Sequence, residues 1–134
     1  HFETDLDPDV PAVQIDVTWL VDALCRLVDN AVRYTPPGGR VTIRTGSDTM
    51  DGRRWATLSV VDTGVGIPEE ELPHIFGRFY RGDYARDQQL SGTGLGLAIV
   101  KGVADLHNGR VTVESKVAEG STFTLWFPMG RPLN

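Results

Sequence analysis

The chain predicts a two-layer α/β sandwich: a mixed, mostly antiparallel sheet of about five strands, with about three helices packed on one face. Three observations predict it. Apolar residues recur at helical spacing over residues 17–34 and again over 97–107. Two-residue alternation marks strands in between and at the end of the chain. The helices and strands are mixed without the strict alternation of a doubly wound sheet.

Taken in order, His1–Val10 is acidic and extended, with a first strand around Phe2–Thr4, and Ala12-Val13-Gln14-Ile15 reads as a short strand. Asp16 is an N-cap for a helix running to about Tyr34. Val17, Leu20, Leu24, Leu27 and Ala31 share one face of it, flanked by Val21, Val28 and Val32. Asp22, Arg26, Asp29 and Arg33 lie opposite, with Asn30 and Tyr34 at a border between the two faces. Pro36-Pro37-Gly38-Gly39 ends the helix. Arg40–Thr45 and Trp55–Asp62 are strands, with Ser47–Arg54 as their hairpin connection around Asp51-Gly52. A short helix covers Glu69–Ile75, and Gly82–Gly92 is a polar stretch without periodicity that reads as a mobile loop. Leu95–His107 is the last helix, stopped at Asn108-Gly109. Arg110–Lys116 and Ser121–Phe127 form a closing hairpin.

The 134 residues make one domain with room for a core. The formal net charge of −5 argues against nucleic acid or an anionic membrane as partner. Cys25 is the single cysteine, which excludes an intrachain disulfide and a cysteine-based zinc site, and suits a reducing compartment. No apolar run is long enough to span a bilayer, and no secretory signal opens the chain. The first residue is His1 rather than Met, which reads as a piece excised from a longer protein.

Three segments have the chemistry of a phosphate-bearing ligand site. Ser91-Gly92-Thr93-Gly94-Leu95-Gly96-Leu97 alternates glycines with small or apolar residues and runs into a helix, which brings backbone N–H groups and a positive helix end to an anion. It reads equally as a tight turn. On the first long helix, Asn30, Arg33 and Tyr34 are spaced to face one ligand. A neutral amide oxygen suits Mg²⁺ when phosphates supply other oxygens, and Arg33 suits a phosphate. The same residues also read as a solvated face with an Asp29/Arg33 ion pair. Asp62-Thr63-Gly64-Val65-Gly66 puts an acid at a strand end before two glycines. The carboxylate can accept from a purine amino group and the glycines leave room for a flat ring, or the segment is an ordinary strand-to-turn junction. Ile75-Phe76-Gly77-Arg78-Phe79-Tyr80-Arg81 reads as an apolar plug flanked by guanidinium groups.

The order of these segments resembles the ATP-binding catalytic domain of sensor histidine kinases, in the superfamily of gyrase, MutL and heat-shock chaperone ATPases. The resemblance covers residues 1–134 as one domain. Asp29-Asn30-Ala31-Val32-Arg33-Tyr34-Thr35 is similar to the family's asparagine box, and Asp62-Thr63-Gly64-Val65-Gly66-Ile67-Pro68 to its first glycine box. Ile75–Arg81 is similar to the phenylalanine box, and Gly92-Thr93-Gly94-Leu95-Gly96-Leu97 to the second glycine box. The resemblance implies a Bergerat-type ATP-binding fold and a set of roles. Asn30 would ligate Mg²⁺; Arg33 and Tyr34 would contact phosphates and nucleoside. Asp62 would read the adenine amino group, Gly64, Gly66 and Ile67 would admit the ring, and Thr122 would support that contact. Arg81, then Arg78, would reach the γ-phosphate, and Gly92, Thr93, Gly94, Leu95, Gly96 and Leu97 would wrap the phosphates. Residues 81–93 would form the ATP lid.

The same resemblance implies transfer of the ATP γ-phosphate to a histidine on a separate dimerisation domain, with later relay to a response regulator receiver domain. The acceptor is absent here: His1, His74 and His107 do not fit its motif, and His107 reads as structural. The fragment is therefore expected to be monomeric, to touch neither nucleic acid nor membrane, and to sit in the cytoplasm, with a parent that can be anchored in the cell membrane. One departure matters. Where most members have a second asparagine, one turn before the Mg²⁺ ligand, this chain has Arg26. Arg26 argues against a gyrase-like hydrolase and leaves open a nucleotide-binding regulatory module with weak or no kinase activity. Asn108 stands where glycine is usual, a position asparagine tolerates.

Overall fold

A computed structural model describes residues 2–7, 15–77 and 96–129. Among them are five strands, two α-helices and one 3₁₀ helix: β1 (Phe2–Asp5), α1 (Val17–Arg33), β2 (Val41–Met50), β3 (Arg53–Asp62), the 3₁₀ helix (Glu69–His74), α2 (Gly96–Leu106), β4 (Arg110–Lys116) and β5 (Gly120–Pro128). The strands form one sheet in the order β1-β2-β3-β5-β4. The β1–β2 pair is parallel and every other pair is antiparallel. The predicted α/β sandwich is the observed fold.

Alternation in β3 and β5 sends Val60, Phe123, Leu125 and Phe127 to the face that carries the helices. There they pack with Ala23, Leu27 and Ala31 of α1 and with Val100, Val103 and Ala104 of α2. The opposite face is polar in its centre, where the Ser59 and Thr124 hydroxyls lie 2.9 Å apart. At one end of it, the Arg53 and Arg110 guanidinium groups lie 5.4 and 5.5 Å from the centre of the buried Trp55 ring.

Asp16 caps α1 as its position implies: Oδ1 accepts from Thr18 N at 2.9 Å and from Trp19 N at 3.4 Å. A second constraint reaches the same residue from the far end of α2. The Asp16 N–H donates to His107 Nε2 at 3.0 Å, and His107 Nδ1 lies 2.8 Å from the Val103 carbonyl oxygen. Nε2 must accept, so the ring proton sits on Nδ1 and donates to that carbonyl. His107 is structural, tying the end of one helix to the start of the other. Asp16→Ala removes the cap and is expected to destabilise the domain by about 1 kcal/mol. The check is a shift in urea midpoint at unchanged slope.

Several boundaries differ from the sequence reading. The β2–β3 connection is not Ser47–Arg54 but two residues, Asp51 and Gly52, at φ +54° and +74°. This is the turn whose twist matches paired strands, so the ladder runs on to Met50↔Arg53. Polar side chains on the outer halves of both strands hid that continuation. The Glu69–Ile75 helix is a 3₁₀ helix ending at His74; Pro73 inside it has no N–H for an α-helical bond. Ile15 lies in no strand, and the rest of the Ala12–Ile15 expectation falls outside the described residues, as does the loop expected over 82–92. Asn108 is left-handed at φ +55°, as its tolerance for that conformation requires.

Candidate nucleotide site

The end of β3 meets the end of α1. Tyr34 caps α1, its N–H bonded to the Asn30 carbonyl at 3.1 Å. Its own carbonyl accepts from Val65 N at 3.1 Å, which fastens the loop after Asp62 to the helix. From the other side the β4–β5 turn closes on that loop, with Ala118 N donating to the Val65 carbonyl at 2.9 Å and Ile67 N to Ser115 Oγ at 2.8 Å. The Ser115 hydroxyl also lies 2.7 Å from Ser121 Oγ and 3.1 Å from the Gly120 carbonyl.

Asp62 sits at the centre of this junction and is only 5% exposed. Its Oδ1 accepts from Gly64 N at 2.9 Å and from Ser121 N at 3.2 Å. Oδ2 has no hydrogen-bond partner among the described residues, yet no buried side-chain oxygen among them lacks a partner. Oδ2 is therefore not fully buried and keeps its capacity as an acceptor. Burial pushes the carboxyl above its ordinary value, against the two N–H donors that pull it down. One oxygen is locked by the backbone and the other is left to recognise a donor.

Asn30 has the same character. Its side chain is half-buried on α1 and makes no hydrogen bond among the described residues. No group of three or more His, Cys, Asp or Glu could hold a metal among the described residues. A divalent cation beside Asn30 would draw its remaining ligands from phosphates and water, the usual arrangement for Mg²⁺ with a nucleotide. The amide oxygen fits that role. Gly96 opens α2 with no acidic residue in its first turn, and a Cβ there would meet nothing among the described residues. Among the described residues nothing crowds that helix end, which suits an anion.

The other expected residues divide. Arg33 is held by Asp29, Nε to Oδ2 at 3.0 Å, so the ion-pair reading of this helix holds. An exposed i,i+4 pair contributes only about 0.5 kcal/mol, whereas a guanidinium bonded to phosphate contributes about 1.5–3 kcal/mol. The pair is no barrier to a phosphate contact. Ile67 and Leu97 are half-buried against the core. Phe76 meets Phe123 edge-on at 6.2 Å between ring centres. Arg78, Arg81, Gly92, Thr93, Gly94 and Leu95 lie outside the described residues.

The two loop glycines gain a second role, and the placing of one residue is corrected. The glycines of the loop are needed for packing before any ring arrives. A Cβ on Gly64 would collide with the Tyr34 carbonyl oxygen, and one on Gly66, at φ +74°, with the Lys116 carbonyl oxygen. Thr122 is not the neighbour of Asp62. In the β3–β5 register Asp62 faces Ser121 while Thr122 faces Val61, so Thr122 points to the opposite side of the sheet. Ser121, through its backbone N–H, and Ser115, through its hydroxyl, are the supports that residue-by-residue reading missed. The signal was the hairpin register, which fixes which hydroxyl shares a face with the acid.

Residues 15–131 match the family described as histidine kinase-, DNA gyrase B- and HSP90-like ATPases. The chain belongs to that family, and within it is the catalytic ATP-binding domain of a sensor histidine kinase. It is 48% identical over 115 residues to the sensor-like histidine kinase SenX3 of Mycobacterium tuberculosis, covering 84% of this chain and 27% of that protein. It thus spans about a quarter of such relatives. Among solved structures, the mycobacterial sensor histidine kinase MprB is similar at a TM-score of 0.80 and 37% identity, over 98% of this chain and 84% of that one. Full-length ShkA, solved in complex with AMPPNP, is similar at a TM-score of 0.74 and 28% identity, over 99% of this chain and 27% of that one. No helix among the described residues is long and apolar enough to cross a membrane.

Proposed function

We propose that residues 1–134 act as one catalytic domain that binds Mg·ATP and transfers its γ-phosphoryl group to a histidine of a separate dimerisation domain, for relay to a response regulator receiver domain. The observation that carries the proposal is the pair of polar groups without a hydrogen-bond partner among the described residues, Asp62 Oδ2 at the end of β3 and the Asn30 amide in the last turn of α1. The proposed setting is the cytoplasm, where ATP is available.

In this reading Asp62 Oδ2 accepts from the adenine amino group, and the loop 62–67 sets the plane of the base. Asn30, with Arg33 and Tyr34 beside it, orients the phosphates. Asn30 would hold a divalent cation through its amide oxygen, and that cation would supply charge neutralisation when bound. Arg81, with Arg78, is proposed to steady the γ-phosphate, and residues 92–97 to cradle the chain of phosphates with backbone N–H groups. The acceptor imidazole nitrogen attacks phosphorus, the bond to the β,γ-bridging oxygen breaks, and ADP departs. The imidazole proton leaves to a base beside the acceptor. This domain aligns and neutralises charge; it need not move a proton itself.

His107 is unsuited as the acceptor, because both of its ring nitrogens are engaged. The test is phosphoryl transfer in the parent protein. With labelled ATP and Mg²⁺, Asn30→Ala is expected to lower acid-labile phosphohistidine at least a hundredfold, as expected when a phosphate-positioning group is removed. Undiminished transfer would overturn the role of Asn30. Steady phosphate release by the isolated domain would instead favour a hydrolase.

A further inference from the structure

We propose that Arg26 recognises the terminal phosphate and makes the site prefer nucleoside triphosphate over diphosphate. The inference rests on the nucleotide-binding reading of the same site. Arg26 lies one helical turn before Asn30 on α1, and its side chain is 37% exposed. Asp22, a further turn back, holds it through one atom only, Oδ2 to Nε at 3.1 Å. The two terminal guanidinium nitrogens make no hydrogen bond among the described residues, and no buried nitrogen among them is left unsatisfied, so these donors are accessible. Asp22 steadies the guanidinium from behind and leaves the terminal donors for something else.

The order of groups along α1 says what that is. Asp62 lies at the C-terminal end of the helix, where Tyr34 O meets Val65 N. Asn30 is one turn back and Arg26 two, each turn of four residues advancing about 6 Å along the axis. A nucleotide with its base at Asp62 and its bridged phosphates at Asn30 runs toward the N-terminus of the helix. The next group on that path is Arg26. A planar cation with two free donors suits a dianionic terminal phosphate, the group that ATP has beyond ADP. The pair with Asp22 is of the weak, exposed i,i+4 kind, so a phosphate can share or replace it.

Calorimetric titration of the protein with a non-hydrolysable ATP analogue and with ADP, each with and without Mg²⁺, tests this. Arg26→Gln is expected to weaken the triphosphate about tenfold and to leave ADP within about twofold, with the larger loss when Mg²⁺ is absent and Arg26 is the remaining counter-charge. Arg26→Lys is expected to recover part of the preference as a point charge. An unchanged ratio of triphosphate to diphosphate affinity in Arg26→Gln would make Arg26 a surface partner of Asp22 and overturn the proposal. An equal loss for both nucleotides would also overturn it, because the effect would then lie in the fold or the base pocket. If the unsubstituted protein bound neither nucleotide, the underlying reading itself would fall, an outcome distinct from either of these. Circular dichroism melting separates misfolding from lost recognition in both variants.

Discussion

Asp62→Asn is expected to leave the domain folded and to weaken ATP by about ten- to a hundredfold, the equivalent of about 1–3 kcal/mol. The substitution keeps the amide oxygen where Oδ1 accepts from Gly64 N and Ser121 N. It replaces Oδ2 by an NH₂ group, so a donor now faces the donor on adenine. The loss comes from mismatch rather than from collapse. The same change removes a charge that burial disfavours, so the nucleotide-free variant should melt at the same temperature or higher at neutral pH. The sign follows from the direction of the shift. The folded carboxyl titrates above the ordinary aspartate value near 3.8, so the folded state holds its proton to higher pH than the unfolded chain does. The stability linked to that proton is fully present below about pH 3.8. It is lost as pH rises through the raised folded value, and the variant lacks this dependence. Titration calorimetry and melting curves across that window check both halves. Unchanged nucleotide affinity in Asp62→Asn would remove Asp62 from the site.

Gly66→Ala is expected to destabilise the domain by about 3 kcal/mol, and Gly64→Ala by a similar amount. At Gly66 two effects combine: φ is +74°, and the added methyl would run into the Lys116 carbonyl. At Gly64 the obstacle is the Tyr34 carbonyl, which is part of the helix end and cannot swing aside as a side chain can. Either change pries apart the junction of α1, the loop after β3 and the β4–β5 turn. Lower urea midpoints in both variants are the expected result, with nucleotide affinity falling as a consequence. Full stability combined with lost ATP binding would show that the glycines serve only to admit the ring.

Much of this architecture is written in local pattern. The α1 face of Leu20, Leu24, Leu27 and Ala31 (though not Val17, which the first turn leaves exposed), the Asp16 cap and the alternation in β4 and β5 need no partner to be recognised, because each rests on a period or a cap that the chain carries within a few residues. Asp62 and Asn30 were likewise legible: an acid at a strand end and an amide at a helix-face border are informative as local chemistry, and the box order placed them in a family. What failed locally were distances set by pairing. Asp51-Gly52 is the local signature of a two-residue turn, but the residues on either side of it do not reveal that the β2–β3 ladder runs right up to it, since outer-strand side chains are polar whether paired or not.

The roles of Ser115, Ser121 and Thr122 were decided by register. Adjacent residues of a strand point to opposite faces, so a one-position difference separates a partner of Asp62 from a residue on the far side of the sheet. Arg26 shows the same division. Its departure from the asparagine pattern is visible in the chain, but the single-atom hold by Asp22 that leaves its other donors open is a matter of geometry. Local pattern was enough for the sandwich and the principal helix, because periodicity and capping are local, and it marked Asp62 and Asn30 as the two polar groups proposed to face the nucleotide. The tertiary structure alone decided which hydroxyl, which backbone N–H and which carbonyl meet at Asp62. Those contacts join residues about sixty positions apart, and only the closed sheet brings them within hydrogen-bond reach.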